Sequence, residues 1–220
     1  MHNGLFITLE GIDGSGKSSV ISNLVKYFFN MGAGITLTRE PGGTELSEKL
    51  RDIILNDSMD PMTEVLLVYA ARREHIVQTI VPALERGDIV ISDRFSESTF
   101  AYQGYGRSFD LSTLTYLEES VQAYENSIIS PDIVLWFDSD INVALSRIGD
   151  RKLDKFENET VNFFEKVRNG YNVRMKKYPQ KYIHIPSNGS KEVVWNYVEN
   201  ALSTYNFTKF VVRNNAITMR

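Results

Sequence analysis

A chain of 220 residues that is 42% apolar and 24% charged can bury a core without a disulfide framework or a structural metal. With no cysteine and three scattered histidines (His2, His75, His184), Cys-ligated zinc, thiol catalysis and a His-rich metal site drop out. The 24 basic and 28 acidic residues leave a net charge of -4 with no long block of one sign, which argues against wrapping nucleic acid or lying on a membrane.

Leu5 to Leu9 is short, apolar and β-rich and runs into glycines, as a strand buried on both faces does. From Lys17 to Phe29 apolar residues recur at helical spacing, and Gly32 and Gly34 end the pattern. The spacing then predicts a strand at Ile35 to Leu37, helices near 45–56 and 61–86, and a strand at Ile89 to Ile91; Asp60-Pro61 supplies an N-cap and a proline at the first helical position. Helical patterns near 97–103 and 111–127 precede a strand at 133–137 and a helix at 141–148, which the polar run 149–152 interrupts. A long helix from Glu157 to Lys177 is closed by Pro179, Tyr182 to Ile185 reads as the last strand, and Glu192 to Leu202 as the last helix. Short strands separated by helices predict an α/β fold of three layers, with a mostly parallel, five-stranded sheet covered on both faces. No linker divides residues 1–204. The tail 205–220 is Asn-rich but holds Phe207, Phe210, Val211 and Val212, and reads as an added strand, a packing arm or a frayed end. No run approaches the ~20 apolar residues that span a bilayer, and the N-terminus lacks a signal-peptide pattern, so a cytoplasmic location is expected.

Gly11-Ile12-Asp13-Gly14-Ser15-Gly16-Lys17-Ser18 matches G-x-x-x-x-G-K-[ST] between a buried strand and a helix, the context this motif needs. Its glycines let backbone N–H groups turn inward around phosphate oxygens, the helix N-terminus adds partial positive charge, Lys17 adds a full one, and the Ser18 hydroxyl suits Mg²⁺. Ile89 to Ile91 leads through Ser92 into Asp93-Arg94, a carboxylate and a guanidinium at a strand end that faces the same crevice, so that Asp93 reaches the metal and Arg94 the phosphates.

With Glu10 before that loop, then Arg39-Glu40-Pro41-Gly42-Gly43-Thr44, Tyr69-Ala70-Ala71-Arg72, Asp93-Arg94-Phe95, Ser98-Thr99 and Ala101-Tyr102-Gln103-Gly104, the chain resembles the thymidylate kinases in motif order and spacing from residue 5 to about 203. The resemblance implies a P-loop nucleoside triphosphate hydrolase-like fold, ATP-dependent phosphorylation of dTMP to dTDP, Mg²⁺ and a homodimer. It places Asp13 at the sugar 3′-hydroxyl and the metal shell, Lys17 and Ser18 at the ATP phosphates and Mg²⁺, and Arg94 beside the phosphates. Glu40 and Pro41 would shape the monophosphate site, with Arg51 near the pyrimidine pocket. Arg72, Gln103 and Thr99 would address the thymine edge, and Tyr102 would crowd the 2′ position. The turn Ser187-Asn188-Gly189-Ser190 falls where adenine contacts are expected.

The chain departs from the family's pattern twice. Val68 stands where the family usually carries an aromatic residue that stacks on the base, and Tyr69 next to it points about 100° away around a helix. Val68→Phe is therefore expected to tighten dTMP binding unless another ring covers the base. The lid, near 147–156, is short, and Gly14 stands where one branch of the family has an arginine. The chain resembles the other branch, whose lid supplies the charge: Arg151 is the leading candidate and Arg147 the next, while Lys152 lacks the guanidinium fork. His75 reads as a packing or dimer-surface residue, and Asp140, beside Asp138, as the N-cap of the helix starting at 141. Two rival functions remain: another nucleoside or nucleoside monophosphate kinase of this fold, kept open by Val68, and a P-loop ATPase switch, disfavoured by the acidic charge balance.

Overall fold

The computed structural model describes residues 3–148, 154–207 and 217–219. Strand β1 (Leu5–Glu10) is buried at every position. It lies in the middle of a parallel sheet, between β3 (Ile89–Asp93) and β6 (Ile133–Asp138), with β2 (Ile35–Arg39) beyond β3 and β7 (Tyr182–Pro186) beyond β6. Because successive strand residues point to opposite faces, Leu5, Ile7 and Leu9 join Val20, Leu24 and Phe28 of α1 (Lys17–Asn30) and Val194, Val198 and Leu202 of α9 (Lys191–Ser203). Phe6 and Val90 face the other way, onto Ile76, Ile80, Leu84 and Phe95. On that same side Trp136 and Tyr182 pack in one cluster with Phe164, Val167 and Tyr171 of α8 (Val161–Lys177).

The sheet has six strands rather than the expected five. The sixth, β8 (Ile217–Met219), runs parallel to β2 with Ile217 opposite Ile35. It is only three residues long and follows an Asn-rich stretch, so neither period nor propensity marks it. Phe207, at the start of the tail, packs edge-on against the Phe28 ring at 5.1 Å; residues 208–216, with Phe210, Val211 and Val212, lie outside the described residues.

The expected 61–86 helix is divided into α3 (Pro61–His75), a π-helical stretch (Ile76–Ile80) and α4 (Val81–Arg86). Pro82 in the first turn of α4 has no N–H to offer the carbonyl one turn earlier, and the wider stretch absorbs that mismatch. A second π-helical stretch (Phe100–Gly106) follows the short helix α5 (Ser96–Thr99). Its Gly106 lets α8 approach closely, since a Cβ there would meet the Phe163 ring at 2.6 Å. Helix α6 (Leu111–Gln122) stops short of 127 and passes into a small hairpin, β4 (Ala123–Tyr124) with β5 (Ser127–Ile128). Helix α8 starts at 161 rather than 157, where Thr160 accepts from the Phe163 N–H as its cap. Helices α2 (Glu45–Asn56) and α7 (Ile141–Ile148) fall where expected. No helix among the described residues is long and apolar enough to cross a membrane.

Candidate active site

The strand register brings the ends of β1, β2 and β3 level, with Leu9 opposite Asp93 and Asp93 opposite Arg39. The crevice beyond these ends is where open α/β sheets bind ligands. Leaving β1, the glycine loop curls over the start of α1, and Lys17 is its first helical residue. The Lys17 side chain is buried, and its Nζ donates to the carbonyls of Gly11 (3.0 Å) and Ile12 (3.1 Å). Burial lowers its pKa, with the Arg94 charge adding to the effect and Asp93 and Asp13 opposing it.

Gly14 has φ +75°, and a Cβ there would lie 2.0 Å from the carbonyl oxygen of Ala144 on α7. No side chain, and so no arginine, fits at this loop position without displacing α7. Gly14→Ala combines a left-handed backbone penalty of ~1–2 kcal/mol with that collision. It is expected to lower Tm by several degrees, at about 2–4 °C per kcal/mol, and to raise KM for ATP; a thermal melt and an ATP titration check both.

Asp93, at the end of β3, keeps Oδ1 buried with no hydrogen-bond partner among the described residues. Arg94 follows in the left-handed region at φ 73°. Its Nη1 donates to the Gly11 carbonyl at 2.9 Å and its Nη2 to Asp13 Oδ1 at 2.7 Å, while Tyr102 donates its hydroxyl to Asp13 Oδ2 at 3.0 Å. Burial alone would raise the Asp13 pKa, but the Arg94 and Lys17 charges outweigh it and hold the carboxyl well below its usual range. Asp13 is thus ionised and lies between the loop and Arg94.

Beside this cluster opens a cleft lined by Asp13, Glu40, Pro41, Arg51, Arg72, Arg94, Thr99, Tyr102 and Gln103. All the residues assigned to the acceptor side therefore converge. Buried Glu40 accepts from Arg72 Nε at 2.8 Å and pairs with His75 Nδ1 at 2.9 Å, and Thr38 Oγ1 lies 2.7 Å from His75 Nε2. His75 is thus a fully buried brace beneath the site and not a surface residue. Arg72 also donates from Nη2 to Thr99 Oγ1 at 2.9 Å, which leaves Nη1 buried with no partner among the described residues. Gln103 gives its amide N–H to Glu64 at 2.9 Å, and Glu64 is held in turn by Arg107 and Lys155. The carboxylate dictates which end of the amide faces it, so the Gln103 carbonyl points away from Glu64. Arg51 donates to the Pro41 carbonyl at 2.8 Å.

Val68 lines the cleft, whereas Tyr69 turns into the core and donates its hydroxyl to the Leu114 carbonyl at 2.9 Å. The ring beside Val68 comes from elsewhere: Phe156 lines the cleft and packs edge-on against Tyr102 at 5.7 Å. Sequence reasoning passed over Phe156, and Phe95, quoted there only as part of a motif, also lines the cleft. An aromatic residue just after a polar segment was the available signal for Phe156.

On the other side of the glycine loop, an open groove is lined by Gly14, Lys17, Ser18, Asp93, Arg147 and Gly189. Arg147 donates to the carbonyls of Ser187 (2.8 Å), Asn188 (3.1 Å) and Gly189 (3.0 Å), so it holds the 187–189 turn near the loop. Arg151 and Lys152 lie outside the described residues. Asp140 caps α7, accepting from the N–H groups of Asn142 and Val143, and Asp138 pairs with Arg168 and His184. Among the described residues no group of three or more His, Cys, Asp and Glu forms a metal cluster.

These elements have counterparts in known proteins. A thymidylate kinase family model matches residues 9–198. The chain is 50% identical over 204 residues to the thymidylate kinase of Albidiferax ferrireducens, covering 90% of this chain and 95% of that protein. It is 47% identical over 215 residues to that of a Polaromonas species, with the same coverage of both chains. The crystal structure of thymidylate kinase from Ehrlichia chaffeensis superposes with a TM-score of 0.73 at 35% identity, covering 91% of this chain and 98% of that one. With a model match over most of its length and relatives this similar along nearly all of it, the chain belongs to the thymidylate kinase family.

Proposed function

We propose that this protein transfers the γ-phosphoryl group of ATP to the phosphate of dTMP, giving ADP and dTDP. The observation that carries the reading is the buried Arg72 Nη1, without a hydrogen-bond partner among the described residues, in a cleft beside a phosphate-binding loop. An unmet buried donor costs ~1–3 kcal/mol, and a pyrimidine carbonyl would satisfy it. The Gln103 carbonyl supplies the complementary acceptor for an imide N–H, and Tyr102, pinned on Asp13, stands as a rigid wall that excludes a 2′-hydroxyl. Glu40 and Pro41 frame the acceptor phosphate, Arg51 stands beside them near the pyrimidine pocket, and Arg94 lies between acceptor and donor. Lys17 and the loop backbone hold the donor phosphates.

Asp93 Oδ1, without a partner among the described residues, lines the same groove as the exposed Ser18 and fits Mg²⁺ carried on ATP. Asp93, Ser18 and Asp13 would hold the ion, which would supply charge neutralisation of the phosphates. Arg147, committed to the 187–189 turn, suits an adenine-side role, and Arg151 is the residue we assign to the transferring group. A homodimer is supported by the exposed apolar side chains of Leu46 and Ile53 on α2 and Met62 and Leu66 on α3, two helices that pack together. A cytoplasmic setting suits a cysteine-free chain that uses ATP.

Acceptor choice is tested by ADP release on adding dTMP, dUMP or single-stranded DNA. The reading expects dTMP to drive turnover best and DNA not at all; stimulation by DNA without dTMP would support an ATPase switch instead. Phe156→Ala is expected to weaken dTMP binding by ~1–3 kcal/mol, the range for one base on an aromatic ring. A calorimetric titration checks it, and an unchanged affinity would leave the base unstacked by that ring.

A further inference from the structure

We propose that Glu10 is a positioning residue for Arg94: from the end of β1 it fixes the turn that carries this arginine and, through Ser98 and Tyr171, the roll of its guanidinium. The inference rests on the reading of Arg94 as the side chain between the two phosphate sites. Glu10 is fully buried one residue before the glycine loop, a place where carboxylates are rare without a specific task.

Its two oxygens are used differently. Oε1 accepts from the Phe95 N–H at 2.7 Å, the peptide that immediately follows Arg94. Oε2 accepts from the Ser98 hydroxyl at 2.6 Å, with the Tyr171 hydroxyl at 3.4 Å. Those two hydroxyls lie 2.9 Å apart, and both accept from Arg94 Nη1, at 3.1 Å and 3.2 Å. Behind the guanidinium there is thus a continuous chain: Arg94 N–H to Ser98 and Tyr171, and from them to the Glu10 carboxyl.

The backbone argument is independent of the side-chain one. A non-glycine residue at φ 73° persists only where its surroundings over-determine it. The Arg94 N–H is held by the Leu9 carbonyl at 3.0 Å and its carbonyl by Ser92 Oγ at 2.7 Å, and the next N–H is held by Glu10. Glu10 therefore closes the last open point of the strained turn. Arg94's remaining partners, Gly11, Asp13 and Tyr102, lie on the side of the glycine loop and the cleft. Burial also pushes the Glu10 carboxyl up to about 8, against the pull of Ser98 and Arg94.

The experiment is a double-mutant cycle in steady-state kinetics on the full chain with ATP and dTMP. Glu10→Ala is expected to lower kcat on the order of 10-fold or more with KM values changed less than about threefold, because displacing a charged group by even 1 Å costs this much or more. Glu10→Gln, which keeps an acceptor for the Phe95 N–H, is expected to recover part of the loss. In an Arg94→Ala background the further effect of Glu10→Ala is expected to vanish, since the residue would act only through that arginine. Where Glu10→Ala does not yield folded protein, Ser98→Ala cuts the same chain with little change of volume and runs through the same cycle. Losses that multiply in the double variant, or normal kcat in Glu10→Ala, would overturn the proposal. An Arg94→Ala enzyme with normal kcat would overturn it by a separate route, because the reading of Arg94 would have failed first.

Discussion

Lys17→Ala is expected to leave a folded protein whose turnover is lower by on the order of 10²-fold or more, the loss that follows removal of a preorganised charge from a water-poor site. Lys17 provides the only full positive charge within the glycine loop itself. Its ammonium is held by two loop carbonyls, an arrangement that places a partly desolvated cation at the spot where donor phosphates would exchange for those carbonyls. Because burial already disfavours that charge, removing it does not threaten the core. The check is kcat alongside a thermal melt. A folded Lys17→Ala enzyme with near-normal transfer would sink the loop's assignment as donor site.

The second large effect is expected in the lid. A transferring phosphoryl group spreads charge over its equatorial oxygens, and the collision between any Gly14 side chain and Ala144 rules out an arginine from the loop. Arg151→Ala should then lower kcat by on the order of 10²-fold or more with little change in dTMP affinity, since the contact forms mainly in the transition state. Arg147→Ala should instead raise KM for ATP, because its three carbonyl contacts hold the 187–189 turn. Kinetics on the two variants side by side separate the roles. A kcat loss in Arg147→Ala alone moves the charge to Arg147, and no loss in either places it outside the lid.

What could be read in advance divides along physical lines. Strands β1, β3 and β6 are runs buried on both faces and ending in glycine or in chemistry-bearing residues, so their position and type were visible in one dimension. The glycine loop and Asp93-Arg94 were legible for the same reason: their chemistry is local. The three-residue β8 was not, because it exists only through pairing with β2. The π-helical stretches were missed because tertiary contacts and Pro82, rather than propensity, set them. Phe156, at the end of the lid, and Val68 are 88 positions apart and come to line one cleft only in the fold. Glu10 looked like part of the loop, and its partners Ser98 and Tyr171 come from α5 and α8.

The most direct measurement is product identity with γ-labelled ATP, dTMP and Mg²⁺. The account predicts label appearing in dTDP mole for mole with ADP, strictly dependent on dTMP and nearly abolished in Lys17→Ala. Label released as inorganic phosphate, with ADP formed at the same rate whether or not dTMP is present, would contradict it.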